Sequence, residues 1–191
     1  MSITDSHREK TLGTISPASV PLRALPVVEL TSDQLQRVDA LAKERSETYD
    51  PIDGGVLFGG RDSLTSHQIG LLGELAVAQF YGLSIDSDTY RLGDDGTDLV
   101  LYGATIDVKA TATDAMERPE LLVRADKSLT ADLYVRAHVV NWDKTGARVR
   151  IIGAASQAVV QDREPQRHPW ETQNYVVPPR ELSLLPALQS N

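Results

Sequence analysis

Two β-rich apolar segments, separated by a short glycine-containing turn, place the strongest constraint on how this 191-residue chain can fold. The first segment is residues 98–102 and the second is residues 105–110, with Gly103 between them. Residues that favour strands on both sides of such a turn predict an antiparallel hairpin. We therefore expect a sheet that contains this hairpin.

Side chains along the second strand of the hairpin alternate between the two faces of the sheet. Asp107 and Lys109 are expected on one face, while Val108 and its apolar neighbours face the core. Asp98 opens the first strand of the same hairpin. Because carboxylate oxygens on adjacent strands can share one hard cation, the two aspartates are candidate metal ligands.

Residues 66–81 precede the hairpin and are apolar on most sides, which predicts a largely covered helix. Gly70 and Gly73 leave room for this helix to lie close to a sheet, and Gly82 is placed to end it. Glu74 lies among these apolar residues. Since an unpaired buried carboxylate is costly, Glu74 is expected to have a partner.

Glu74 in a helix, Asp98 at the start of a strand, and Asp107 with Lys109 in the next strand together resemble the PD-(D/E)xK nuclease superfamily. Thr97 stands where the family name has proline. The resemblance covers about residues 66–140. It implies an α/β fold with a mixed central β-sheet flanked by helices, built on a restriction-endonuclease-like α-β-β-β-α-β core.

The same resemblance implies a divalent-metal-dependent deoxyribonuclease that leaves 5′-phosphate ends, with endonuclease favoured over exonuclease. Mg2+, for which Mn2+ can substitute, would be held by Glu74, Asp98, Asp107 and the backbone carbonyl of Val108. Lys109 would orient the attacking water and help to remove its proton. The expected partner is DNA; RNA as a substrate and a homodimeric assembly both stay open.

Four further residues are candidates for contacts with nucleic acid. His67 lies two turns before Glu74 on the same helix face, within reach of a phosphate. Arg118, Arg124 and Lys127 follow the motif strand closely. Cationic side chains near a nuclease site are expected to contact phosphates.

Composition limits the remaining classes of function. Asp and Glu outnumber Lys and Arg by 27 to 19, giving a formal net charge of −8. Any nucleic-acid contact must therefore depend on local charge or on bound cations. The chain contains no cysteine, which excludes a thiolate metal site, and no apolar run of the roughly 20 residues that span a bilayer. We expect a soluble cytoplasmic protein that does not enter a membrane.

The rest of the chain suggests one domain with an extension. Residues 1–28 are rich in proline without a sustained hydrophobic period, which predicts a flexible amino-terminal arm, and residues 29–191 are expected to form the single nuclease-like domain. A helix that begins at Thr31 or Ser32 has an apolar stripe and is predicted to serve packing alone. Further strands are predicted near residues 120–124, 132–140, 147–152 and 175–177, the last at a sheet edge.

Two other functions remain open from the sequence. One is a catalytically inactive nuclease-fold protein that binds nucleic acid or a protein partner. The other is a non-enzymatic accessory or assembly protein whose acidic residues serve solubility. For single residues the corresponding alternatives are a surface salt bridge between Asp107 and Lys109, a turn role for Asp98 and a solvent-facing Glu74.

Overall fold

The computed structural model of the protein describes residues 15–48, 63–83, 97–113, 115–169 and 171–185, and it is a mixed α/β structure. Its helices are α1 (Ser32–Thr48), α2 (Ser63–Phe80) and α3 (Gln157–Gln161). Its strands are β1 (Val27–Thr31), β2 (Leu99–Leu101), β3 (Ala104–Thr111), β4 (Leu121–Arg124), β5 (Leu133–Asp143), β6 (Gly146–Ser156), β7 (Gln166–Arg167) and β8 (Gln173–Val177). Among the described helices, none combines the length and the apolar character that crossing a membrane requires.

A five-stranded mixed sheet in the order β1-β6-β5-β3-β2 forms the centre. Its β3 and β5 run parallel, and the other neighbouring strands run antiparallel. The predicted hairpin is confirmed as β2 and β3, joined by Tyr102 and Gly103, which have φ angles of 51° and 85°. Glycine adopts such a positive φ without steric cost, so its position in the turn is explained.

The helix α2 packs closely on one face of this sheet. A Cβ atom built on Gly73 would lie 2.5 Å from the Cβ of Ala110 in β3, closer than side chains can approach. Gly82, with φ 64°, follows the end of α2. The predicted helix and its glycine-dependent packing are therefore confirmed. The helix α1 packs outside α2 and also contacts β1.

The opposite face of the central sheet contacts a second, three-stranded sheet in the order β4-β8-β7. Tyr134 of β5 and Ile152 of β6 are buried there with Leu121 of β4 and Val177 of β8. Within the described residues, 175–177 pair with β4 on one side only, as the predicted edge position requires, whereas β7 pairs with Gln173 and Asn174 of the same strand. The long helices α1 and α2 thus lie on one face only.

Residues 15–28 are packed on the domain, which differs from the expected loose arm. Leu25 and Val28 are buried, and β1 pairs with β6 from Val27 onward. The hydroxyl of Ser16 donates to the carbonyl of Arg180 at 2.8 Å. Residues 15–28 make most of their contacts with strands and loops that are distant in the sequence. Their burial therefore leaves no hydrophobic period in the local sequence. Residues 1–14 of the predicted arm lie outside the described residues.

Candidate active site

Asp98 is held at the start of β2 by two hydrogen bonds to β3. Its backbone N–H donates to the carbonyl of Ile106 at 2.8 Å, and its Oδ2 accepts from the N–H of Val108 at 2.6 Å. Burial, followed by the charges of Glu74 and Asp107, raises the pKa of Asp98 from 3.8 to about 8. The structure therefore places three carboxylates within electrostatic range of one another.

Asp107 and Lys109 share a face of β3, as the alternation predicts. The Lys109 Nζ lies 2.7 Å from Oδ2 of Asp107, which is only 7% exposed. Val108, between them, faces α2, since its Cγ1 is 3.4 Å from where a Cβ of Gly73 would lie. Because side chains alternate along a strand, Asp107 and Lys109 point to the opposite face of the sheet.

Glu74 is buried on α2 and has the partner that its environment requires. Arg45 of α1 donates to both of its carboxylate oxygens, at 3.2 and 3.4 Å. Burial raises the pKa of Glu74, the Arg45 guanidinium opposes that rise, and the Asp107 carboxylate adds to it. The interpretation of Glu74 as a solvent-facing residue is thus wrong.

Arg45 is the site residue that the sequence analysis missed, since it assigned α1 a packing role alone. An amphipathic pattern identifies the apolar stripe of a helix. It does not identify the tertiary partner of a charged residue beside that stripe. The one available signal is the requirement that buried Glu74 have a cationic partner. Arg45 is also close enough to His67 to lower the pKa of this histidine, after the larger effect of burial. The predicted nucleic-acid contact His67 therefore lies beside the Arg45–Glu74 pair.

The other predicted phosphate contacts have partners elsewhere. Arg118 Nη2 donates to the carbonyl of Val20 at 2.5 Å. Arg124, at the end of β4, forms an ion pair with Asp126, and Lys127 is exposed in the turn that follows. For all three, a contact with nucleic acid stays a prediction.

The three carboxylates repel one another, but they do not form a complete set of metal ligands. Across the described ranges, no three Asp, Glu or His side chains are grouped so that they could hold a metal ion together. Glu74 belongs to α2, whereas Asp107 points away from α2, and each is already paired with a cation. Asp98 has no such cationic pair among the described residues, which is consistent with its raised pKa.

Comparison with known proteins identified no relative of this chain. No protein-family model matches the chain, and no curated protein or solved structure is significantly similar to it. The function is therefore inferred from the geometry and chemistry of the site.

Proposed function

We propose that this protein is a divalent-metal-dependent nuclease that hydrolyses DNA phosphodiester bonds and leaves 5′-phosphate ends. One observation carries the proposal: Glu74, Asp98, Asp107 and Lys109, distributed over α2, β2 and β3, are close enough to interact electrostatically with one another. The types of these residues and their order along the chain resemble those of the PD-(D/E)xK nuclease superfamily. In this proposal α2, β2 and β3 begin a restriction-endonuclease-like core.

The donor chemistry of the cluster fits a hard divalent cation. Mg2+ and Mn2+ prefer carboxylate and carbonyl oxygens as ligands. A bound cation would also reduce the electrostatic repulsion between buried carboxylates that lie close together. Burial first, and the charges of Glu74 and Asp107 second, raise the pKa of Asp98. Asp98 and Asp107, with the carbonyl of Val108, would hold the ion. Glu74 would act through water, because its two oxygens are engaged by Arg45.

In this proposal Lys109 would orient the attacking water and help to remove its proton. Its half-buried ammonium is held by Asp107 at 2.7 Å, so both residues are oriented toward one place. A positioned side chain of this kind contributes roughly 10²–10⁴-fold to a rate through proton transfer. When bound, the metal ion would supply positive charge that stabilises the charge developing on the scissile phosphate.

A catalytically inactive nuclease-fold protein is the second candidate. It is favoured by the pairing of Glu74 with Arg45 and of Asp107 with Lys109, since internal ion pairs of this kind can compensate buried carboxylates without a metal. A protein with such a site would bind nucleic acid or a protein partner without cleaving. A metal-dependence test separates the two candidates.

The test is cleavage of supercoiled plasmid, linear DNA and RNA in Mg2+ and in EDTA, with analysis of the product ends. We expect DNA cleavage that requires Mg2+, leaves 5′-phosphates and is abolished by Asp107→Asn. The matched control is Asp33→Asn, which removes the same charge from an exposed position in the first turn of α1. Cleavage that persists in EDTA, or in Asp107→Asn, would exclude the proposed site, and absence of cleavage under all conditions would favour the inactive protein.

A further inference from the structure

Four basic side chains gather on the sheet face that carries Lys109, and we name them the basic cluster: Arg118, Arg136, His138 and Arg150. Arg136 and His138 lie on β5 and are only 5% and 4% exposed. Arg150 of β6 is the cross-strand partner of His138, and Arg118 lies close enough to Arg150 to lower its pKa. In a chain with a net charge of −8, this is a local concentration of positive charge.

The basic cluster has unused hydrogen-bonding capacity. Within the described residues, the buried side-chain nitrogens or oxygens without a hydrogen-bond partner are Nε of Arg118, Nε of Arg136, Nδ1 of His138 and Nε of Arg150. All four belong to this cluster. A buried polar group without a partner costs about 1–3 kcal/mol, and three of the four are arginine Nε–H donors, so a shared acceptor from a ligand would satisfy them together.

Neighbouring carboxylates do not supply that acceptor. Glu120 attracts Arg136 and Glu117 attracts Arg150, but in the described part of the chain neither glutamate lies within 4.0 Å of these guanidinium groups. Glu120 instead pairs with Nε2 of His168 at 3.0 Å. Burial lowers the pKa of Arg136 to about 10, which shows how little its charge is compensated.

Three members of the cluster make a hydrogen bond through another atom of the same group. Arg136 Nη1 donates to the carbonyl of Lys109 at 3.1 Å, and Arg118 Nη2 donates to the carbonyl of Val20. His138 Nε2 lies 2.8 Å from the carbonyl of Thr113; since a carbonyl only accepts, this nitrogen carries the hydrogen. Burial, and then the charges of Arg150 and Arg136, lower the pKa of His138, so Nδ1 is an acceptor in the neutral ring. It donates only when the imidazole is protonated, which a bound anion would favour.

We infer that the basic cluster binds a phosphate of the nucleic-acid backbone, close to the one that is attacked at the carboxylates. This inference rests on the proposed nuclease function. Arginine forks match the oxygens of a phosphate, and burial strengthens the attraction. Arg118 and Arg150 are half-buried, so the cluster reaches the protein surface.

The register of the sheet gives the distance between the two places. Arg136 lies opposite Lys109, and His138 lies opposite Thr111, two residues further along β3. Two residues of a strand span roughly 6.6 Å. The basic cluster therefore begins beside Lys109 and extends from it along β5.

The experiment measures binding of a fluorescent single-stranded oligodeoxynucleotide, without terminal phosphates, in EDTA so that no cleavage occurs. Arg150→Gln is compared with Arg148→Gln, which removes the same charge two residues away on the same strand, where Arg148 pairs with Glu29 at 2.8 Å. We expect Arg150→Gln to weaken binding about 10-fold or more, as for the loss of a charge-assisted hydrogen bond. Arg148→Gln should weaken it less than about threefold, by the loss of one exposed charge.

Three further measurements keep the result interpretable. Thermal unfolding without ligand shows whether Arg150→Gln is folded, and Arg150→Lys, which keeps the charge without the fork, should regain only part of the affinity. Inorganic phosphate should compete with the oligonucleotide for the wild-type protein and not for Arg150→Gln. Equal effects of the two glutamine variants, or no binding in EDTA, would overturn the inference. Failure of the nuclease proposal is seen separately, as oligonucleotide binding that depends on Arg150 without any Mg2+-dependent cleavage.

Discussion

Arg45 of α1 donates hydrogen bonds to both carboxylate oxygens of Glu74 on α2, at 3.2 and 3.4 Å. Glu74 is 6% exposed, so its charge has little access to water. The guanidinium opposes the rise in the pKa of Glu74 that burial causes. The outer helix of the protein is therefore connected directly to the candidate active site.

Replacing Arg45 with methionine should destabilise the protein by about 1–3 kcal/mol, because it leaves a buried carboxylate without its partner. Chemical denaturation at neutral pH measures the change. Arg37→Met, at an exposed position of the same helix, is the matched control and should have an effect of less than about 0.5 kcal/mol. Adding Glu74→Gln to Arg45→Met should recover part of the loss. Equal stability of the two arginine variants would show that the pair contributes little.

Two glycines of α2 should respond to alanine with opposite signs. At Gly73 the new Cβ would lie 2.5 Å from Ala110 Cβ, and such overpacking costs about 1–3 kcal/mol, which outweighs or cancels the gain in helix propensity of about 1 kcal/mol. At Gly70 the nearest atom would be Glu74 Oε1 at 3.9 Å, an ordinary contact, so Gly70→Ala should stabilise the protein. Thermal unfolding of both variants measures the difference. A Gly73→Ala protein as stable as Gly70→Ala would contradict the close packing of α2 on β3.

The raised pKa of Asp98 makes the stability of the metal-free protein depend on pH. The folded pKa is about 8 against an ordinary 3.8, so the fold favours the neutral carboxyl. This contribution to stability is fully present below pH 3.8 and is lost as the pH rises to about 8. Asp98→Asn, which stays neutral, should show a smaller decline over that window and should be more stable than the wild type at the alkaline end. Unfolding curves in EDTA across the window test this, with Asp33→Asn as a control that should keep the wild-type slope.

The sequence predicted α2 and the hairpin because local signals determine them, whereas the roles of Glu74, Asp98, Asp107 and Lys109 came from the resemblance and stay a prediction. A long apolar helix and alternating strands depend on periodicity within one segment. Arg45 could not be predicted, since its contact depends on how two helices pack. Similarly, the short apolar segments β4 and β8 were recognisable as strands, but nothing in them specifies which sheet they join. The basic cluster was missed for the same reason, because Arg118 and Arg150 meet only through tertiary packing.

The choice of metal ion should follow the preference of carboxylates for hard cations. Mg2+ and Mn2+ should support cleavage, whereas Ca2+ should allow DNA binding with little turnover, because its longer and more variable coordination misplaces the reacting groups. Parallel binding and cleavage assays in the three ions separate the two effects. Turnover in Ca2+ equal to that in Mg2+ would argue against the proposed geometry.

Substitutions of Lys109 and of Asp107 should have different effects on metal binding and on cleavage. Asp107→Ala should lose metal binding and cleavage together, because a ligand is gone. Lys109→Gln should keep the metal, since it removes only a cation that lies 2.7 Å from Asp107, and yet lose the proton transfer. The matched control is Lys144→Gln, an exposed lysine in the turn between β5 and β6.

The most direct test of the proposed site is the single-turnover rate of DNA cleavage by Lys109→Gln at saturating Mg2+, measured beside its Mn2+ affinity. We predict a rate about 10²–10⁴-fold below that of the wild type and of Lys144→Gln, with Mn2+ affinity equal to or above that of the wild type. A Lys109→Gln protein that cleaves DNA at close to the wild-type rate would contradict the assignment of this cluster as the active site.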